Sequence, residues 1–175
     1  MFILKLLSKL LKALQSADSP NQLAWGFALG AILGLTPLWN LHNILIILLI
    51  FILKVNLSSA LFSLILFSLI AWIFDPLFHT LGFALLVQLP FLQSLWNLLY
   101  NAPVLSLSRF NDTIVMGSLF CSLILLVPNF LLFRWMVVLY RRTWNESVKK
   151  WRLAKILKSS KAVRFYQKVK FLGGK

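Results

Sequence analysis

The sequence predicts an all-α, polytopic membrane protein, and three observations support that prediction. Hydrophobic residues make up 60% of the 175 positions, and the mean hydropathy is +0.85, outside the range of ordinary soluble domains. Residues 19–53 contain no charged side chain, whereas a bilayer-spanning helix needs only about 20 apolar residues. Both ends of the chain are basic. We therefore expect several membrane helices with both ends on the same side.

The net charge of +14 lies mostly outside the apolar middle of the chain. From Arg134 onward, thirteen lysines and arginines face a single acid, Glu146. Basic residues beside the ends of membrane spans follow the positive-inside rule, and their distribution argues against a nucleic-acid partner. We predict a multi-pass membrane protein with cytoplasmic N- and C-termini.

Residues 1–17 predict an amphipathic helix. Leucines occupy most of its surface, and Lys5, Lys9 and Lys12 recur along one face. A basic face opposite a leucine-rich face is typical of a helix lying in the headgroup layer. The alternative is a helix packed against the protein's own cytoplasmic side. In the first case the three lysines would bind anionic headgroups.

A stripe of small residues begins the membrane domain, predicted over residues 21–140. Gly26, Gly30 and Gly34 recur every four residues, which leaves a flat surface along one side of a helix. Such a surface lets a second helix approach closely. Contact with a lipid or solute is the alternative, and we favour helix packing.

The first apolar run is interrupted at Pro37, which has no backbone N–H. Uncharged polar side chains surround this proline: Thr36, Asn40, His42 and Asn43. A break at membrane depth is tolerated only where it is buried in protein or faces water. Because the apolar stretches before and after Pro37 are short, the segment could be a re-entrant hairpin or two tilted spans.

A second proline break follows the apolar span predicted over residues 57–74. Its sequence Asp-Pro-Leu-Phe-His resembles Thr-Pro-Leu-Trp-Asn at the first break, a short basis for an internal repeat. We expect this break to form a second hairpin. Paired breaks point to a site between two halves. The candidate polar pocket is therefore Thr36, Pro37, Asn40, His42, Asn43, Asp75, Pro76 and His79.

The ionisable residues of this pocket allow two interpretations. Asp75 and His79 are four residues apart and would share a helix face; together with His42 they could relay protons or hold a cation. Alternatively, Asp75 caps a helix that begins at Pro76, and the histidines bond to local backbone groups. Two histidines and one carboxylate are a weak metal motif. No hydrolase or phosphate-loop motif occurs, so we expect no enzyme activity, metal or cofactor.

The remaining segments complete the predicted topology. Residues 90–100 mix aromatic and amide side chains, as is typical of a membrane interface, and residues 113–133 predict a further span. Residues 141–175 predict a basic helical tail, in which Arg141, Arg142, Lys149 and Lys150 would bind anionic headgroups. Two crossings (57–74 and 113–133) or four crossings both keep the two ends on one side.

The glycine stripe, the Leu-Thr-Pro-Leu sequence at 35–38, His42-Asn43, Lys54-x-Asn56 and Asp75-Pro76 together resemble a known bacterial family. It is the inner-membrane family catalogued as domain of unknown function twenty sixty-two, and the resemblance covers roughly residues 21–140. The family usually has Asn-Pro at the second break and a small residue where Trp39-Asn40 stand. Short members tend to be encoded beside a long AsmA-like envelope protein, of a class implicated in phospholipid movement. The resemblance implies a lipid-supply or docking subunit.

Residues and resemblance together predict a non-enzymatic membrane module that handles lipid or docks an envelope partner. One alternative is a small-solute or proton-coupled transporter that uses the ionisable residues of the two breaks. The other is a passive scaffold whose basic tail recruits a cytoplasmic partner.

Overall fold

The computed structural model describes residues 13–14, 18–102 and 108–172, and of residues 144–172 only the backbone. The helices are α1 (Pro20–Leu35), α2 (Leu41–Ile52), α3 (Leu57–Phe83) with a π-helical continuation (Ala84–Gln88), α4 (Pro90–Tyr100) and α5 (Thr113–Leu172). No strand occurs in these described ranges, which confirms the all-α prediction. Contacts divide the chain into two units, Met1–Val137 and Val138–Lys175.

A capping box fixes the start of α1. The Ser19 hydroxyl accepts a hydrogen bond from the backbone N–H of Gln22 at 3.2 Å, and the Gln22 side chain accepts one from the N–H of Ser19 at 2.9 Å. These two bonds satisfy donors that a helix end otherwise leaves free. Pro20 occupies the first turn, where its missing N–H has no consequence.

Helix α1 is the centre of the first unit. Each of the three buried apolar clusters contains residues of α1: Leu23 and Ala24 in the first, Leu29, Ile32 and Leu33 in the second, and Leu35 in the third. An α-helix that is apolar all round is typical of a protein core or a membrane span. The neighbouring helices contribute Ile50, Ala60 and Phe133 to these clusters.

The glycine stripe of α1 packs directly on the backbone of α3. A Cβ atom at Gly26 would lie 2.5 Å from the carbonyl oxygen of Asn56, and one at Gly34 would lie 2.5 Å from that of Leu64. Gly30 faces Ala60 in the same way. Each later glycine of α1 faces a later residue of α3. The two helices therefore run parallel.

Helix α5 packs against both α1 and α3 within the first unit. The rings of Phe27 and Phe133 stack with centroids 4.0 Å apart. At the other end of α3, a Cβ atom on Gly117 would collide with the backbone of Phe78, and one on Gly82 would collide with the backbone of Thr113. This second pair of glycines allows α3 and α5 to approach closely, in antiparallel directions.

An amide at the start of α3 joins three segments of the chain. Asn56 Nδ2 donates to Asp18 Oδ2 at 2.6 Å, and its Oδ1 accepts from the N–H of Ser59 at 2.9 Å. The Asn56 N–H donates to the carbonyl of Gln22 at 3.2 Å. The segment before α1, the first turn of α1 and the start of α3 are therefore held together.

We expect Asn56→Asp to lower the free energy of unfolding by about 1–2 kcal/mol, because it removes a charge-assisted donor. It also sets two carboxylates against each other, while an oxygen remains to cap Ser59. The measurement is denaturant unfolding in detergent. Adding Asp18→Asn should restore stability, since the donor and the acceptor then exchange places. A double variant as unstable as Asn56→Asp alone would contradict this contact.

Among the residues that the structure describes, two helices are long and apolar enough to cross a membrane, judged by length and composition. They are Leu57–Gln88 with 32 residues and Thr113–Thr143 with 31 residues, against the roughly 20 residues that a span requires. Helices α1 and α2 have 16 and 12 residues, which makes both shorter than a usual span.

The prediction of a second proline-broken hairpin is wrong. Helix α3 continues through Asp75 and Pro76 as far as Phe83, so the span does not end at residue 74 and no helix begins at Pro76. Ala71 and Phe78 lie two turns apart on α3, on either side of the proline, and both are buried in the cluster with Leu35. This packing keeps the helix continuous despite the missing backbone donor.

Most of the predicted N-terminal helix lies outside the described residues. Within it, Ala13 and Leu14 are helical, and Ala13 is buried in the cluster that includes Leu23 and Val137. This end of the segment packs on the protein, as in the second alternative for that helix. Lys5, Lys9 and Lys12 fall outside the described residues.

Candidate functional site at the α1–α2 turn

Pro37 ends α1 by constraining the residue before it. A residue that precedes proline is driven into extended backbone, and Thr36 has φ −95° and ψ 148°. Its N–H still donates to the carbonyl of Ile32 at 3.1 Å, and its hydroxyl lies 2.8 Å from the same oxygen. We call residues 36–40, between α1 and α2, the α1–α2 turn.

Asn43 ties this turn to the first turn of α2. Its side chain is only 1% exposed. Its Nδ2 donates to the carbonyls of Pro37 at 2.8 Å and Leu38 at 3.2 Å, and its Oδ1 lies 2.9 Å from the Thr36 hydroxyl, which donates to it. One amide therefore satisfies backbone carbonyls that the proline break would leave without partners.

Two other polar groups near the turn are only partly satisfied. Asn40 Nδ2 donates to the carbonyl of Pro37 at 2.8 Å, so the Asn40 side chain does not cap the start of α2. Asn40 Oδ1 and His42 Nε2 are covered and make no hydrogen bond within the described residues. Burying a polar atom without a hydrogen-bond partner costs free energy. Local contacts leave these two atoms in that state.

A hollow of about 440 Å³ opens beside these polar groups. Its lining is apolar except for one residue, and consists of Leu38, Trp39, Asn40, Leu41, Ile44 and Ile47. Trp39 is 91% exposed. The hollow thus has apolar walls and an amide side chain beside an uncapped helix start, an arrangement that suits a molecule with one polar and one apolar part.

The second group of predicted pocket residues, Asp75, Pro76 and His79, lies on α3. His79 Nδ1 is 2.6 Å from the Thr113 hydroxyl at the start of α5. Thr113 lines an open polar depression of about 490 Å³ together with Arg109, Asn111 and Asp112. Within the described residues, Asp75 makes no hydrogen bond or ion pair, and no hydrogen bond joins Asp75, His79 and His42.

Five of the eight predicted pocket residues lie in the α1–α2 turn or the first turn of α2: Thr36, Pro37, Asn40, His42 and Asn43. Asp75, Pro76 and His79 lie on α3, and the relay that would use Asp75 and the two histidines stays a prediction. The described residues contain no cluster of three histidine, cysteine or acidic side chains that could hold a metal.

Sequence reasoning missed the apolar lining of the hollow. The spacing of Leu41, Ile44 and Ile47, three residues apart, marks one face of a short helix and was the available signal. It also missed Asn56 as a link between segments. The predicted headgroup-binding residues of the tail are not tested: the side chains of Lys149 and Lys150 are outside the described part of the chain, and Arg141 and Arg142 have interaction partners.

Comparisons with known proteins identify the family. Residues 5–145 match the family described as "Uncharacterized protein conserved in bacteria (DUF2062)". The chain is also 32% identical over 139 residues to an uncharacterized protein of Treponema pallidum (strain Nichols), covering 79% of this chain and 85% of that protein. No solved structure matches the chain. The family match covers most of the sequence, and the chain therefore belongs to the DUF2062 family of bacterial proteins.

Proposed function

We propose that the chain is a non-enzymatic module of the bacterial inner membrane that handles phospholipid at the α1–α2 turn. Two long apolar helices support the membrane location, and the basic ends support cytoplasmic termini through the positive-inside rule. The proposed partner is a long AsmA-like envelope protein, and that part rests on the family resemblance alone.

The observation that supports lipid handling is the hollow beside the turn. A phospholipid has a polar headgroup and apolar chains, and the hollow places Asn40 among apolar walls formed by Trp39, Ile44 and their neighbours. Because the Asn40 side chain does not cap α2, the N-terminal end of that helix is available to a phosphate group. Three exposed residues of α2, Leu48, Phe51 and Ile52, continue the apolar surface for acyl chains.

The length of α1 supports a location of Asn40 and the other polar residues of the turn where bulk water is scarce. Sixteen residues rise about 24 Å at 1.5 Å per residue, whereas the hydrocarbon layer is about 30 Å thick. If α1 starts at the cytoplasmic surface, the turn lies near the far side of the hydrocarbon layer. Polar atoms at such a depth need protein, water or a ligand as a hydrogen-bond partner. A lipid headgroup in the hollow can be that partner.

Filling the hollow should remove the lipid. We expect Ile44→Trp to lower phospholipid occupancy by about tenfold, equivalent to about 1.4 kcal/mol, because the indole takes the space of the bound molecule. Occupancy is measured by native mass spectrometry after gentle extraction, and the contact is mapped with a photoactivatable phospholipid in proteoliposomes.

The matched control is Leu49→Trp, which adds the same indole to an exposed position of α2 that does not line the hollow. It should retain lipid at the wild-type level. Equal lipid retention by both variants, or crosslinks confined to residues far from the turn, would show that the hollow is not the lipid site.

A further inference from the structure

Helix α4 presents an apolar stripe that no described part of the protein covers. Phe91, Leu95 and Leu98 are 75%, 45% and 70% exposed. They are spaced at i, i+4 and i+7, so they form one line along the eleven-residue helix. A short helix gains no stability from such a stripe in water, and a contiguous exposed apolar surface marks an interaction site.

Contacts on the side of α4 away from the apolar stripe fix the rotation of the helix about its axis. Trp96 Nε1 donates to the carbonyl of Leu85 in the π-helical segment at 3.0 Å, and the Trp96 ring lies 6.1 Å from that of Phe110. Leu92 and Leu99 are half-buried beside it. Since Trp96 holds this side inward, the exposed stripe is a property of the fold.

The third side of α4 is polar and uncharged. Gln93 and Asn97 are exposed there, and residues 90–101 contain no ionised side chain. Helix α4 also connects the two candidate spans and follows the exposed Phe83 and Val87 at the end of the first. It therefore belongs to the end of the bundle opposite Lys54, where an apolar outer surface meets the connecting segment.

We infer that α4 is an interfacial anchor on the membrane face opposite Lys54, with Phe91, Leu95 and Leu98 among the acyl chains. Its occupant is the lipid surface, because the apolar stripe adjoins a candidate span and the neutral side with Gln93 and Asn97 suits the headgroup layer. The binding depends on buried apolar area and not on attraction to anionic lipid. This inference rests on the proposed membrane location.

Single spin labels test the arrangement. Cys121 is the only cysteine and is replaced by alanine, or by serine if Cys121→Ala does not fold. Labels are then attached to cysteines introduced at Phe91, Leu95 or Leu98, and in separate proteins at Gln93 or Asn97. In liposomes of phosphatidylethanolamine and phosphatidylglycerol, we expect the first three labels to collide several-fold more with oxygen than with a nickel chelate. The labels at Gln93 and Asn97 should collide more with the nickel chelate than with oxygen.

A control label at Ile73, which is exposed on the first candidate span, separates two kinds of failure. If Ile73 is accessible to oxygen while the α4 stripe is accessible to nickel, the anchor is wrong and the membrane location stands. If the label at Ile73 is also accessible to nickel, the anchor and the proposed membrane location are both wrong. The label depths should not change between low and high salt or without phosphatidylglycerol; a stripe that leaves the membrane at high salt would overturn binding by apolar area.

Discussion

Gly30→Ala should lower the free energy of unfolding by about 1–3 kcal/mol, a typical effect of overpacking. The added methyl group would lie 2.9 Å from both the carbonyl carbon and the Cα of Ala60, and closer still to its carbonyl oxygen. These are backbone atoms, so the strain cannot be relieved by rotating a side chain. Helices α1 and α3 would have to separate, and α1 contributes to all three buried clusters.

The measurement is the free energy of unfolding in mild detergent, obtained by titration with a denaturing detergent. Ser94→Thr is the control, because it adds one methyl group to an exposed residue of α4 and should change stability by a few tenths of a kcal/mol. Adding Ala60→Gly to Gly30→Ala should not restore stability, because the collision is with backbone. A Gly30→Ala protein as stable as the wild type would mean that the helices are not in backbone contact.

Asn43→Ala should lower the free energy of unfolding by about 3 kcal/mol, from three lost hydrogen bonds of about 1 kcal/mol each. The carbonyls of Pro37 and Leu38 lose an Nδ2 donor, and the Thr36 hydroxyl loses one acceptor. The Pro37 carbonyl keeps its bond from Asn40, which limits the effect. Because Asn43 is buried, the truncation also leaves a small cavity.

Thermal unfolding in detergent measures this effect, with Asn97→Ala as the matched control. Asn97 is an exposed amide on α4. Its truncation should change the free energy of unfolding by no more than about 0.5 kcal/mol. If the two alanine variants unfold at the same temperature, the Asn43 bonds do not hold the turn. The lipid measurement is separate, since Ile44→Trp changes the hollow without removing any of these bonds.

Local chemistry in the sequence determined the start of α1, its end and its packing face. Ser19 and Gln22 form the capping box, and Pro20 lies in the first turn beside them. Pro37 breaks the helix through its own ring and the residue before it. The four-residue spacing of Gly26, Gly30 and Gly34 needs only helical geometry to form a flat face. Each of these signals acts over a few residues and needs no partner distant in sequence.

The same kind of signal was misleading at Pro76, where the tertiary structure decided the outcome. Pro37 and Pro76 both lack a backbone donor, but only the first ends a helix. At Pro76 the flanking Ala71 and Phe78 are buried together against α1, and Phe78 also lies against Gly117 of α5. Burial on both sides of the proline outweighs the lost hydrogen bond. The isolated glycines at 82 and 117 had no periodic pattern that would reveal their contact.

Composition likewise indicated an interfacial segment at residues 90–100 but could not orient it. The aromatic residues there looked equivalent in the sequence, yet Phe91 is exposed while Trp96 turns inward to the Leu85 carbonyl. That carbonyl lies in a π-helical turn, eleven residues away in sequence. The sequence by itself determined that the chain is helical and apolar, because those properties are local. Which prolines break helices, and which apolar faces stay uncovered, depended on partners distant in sequence, and only the tertiary structure brings those together.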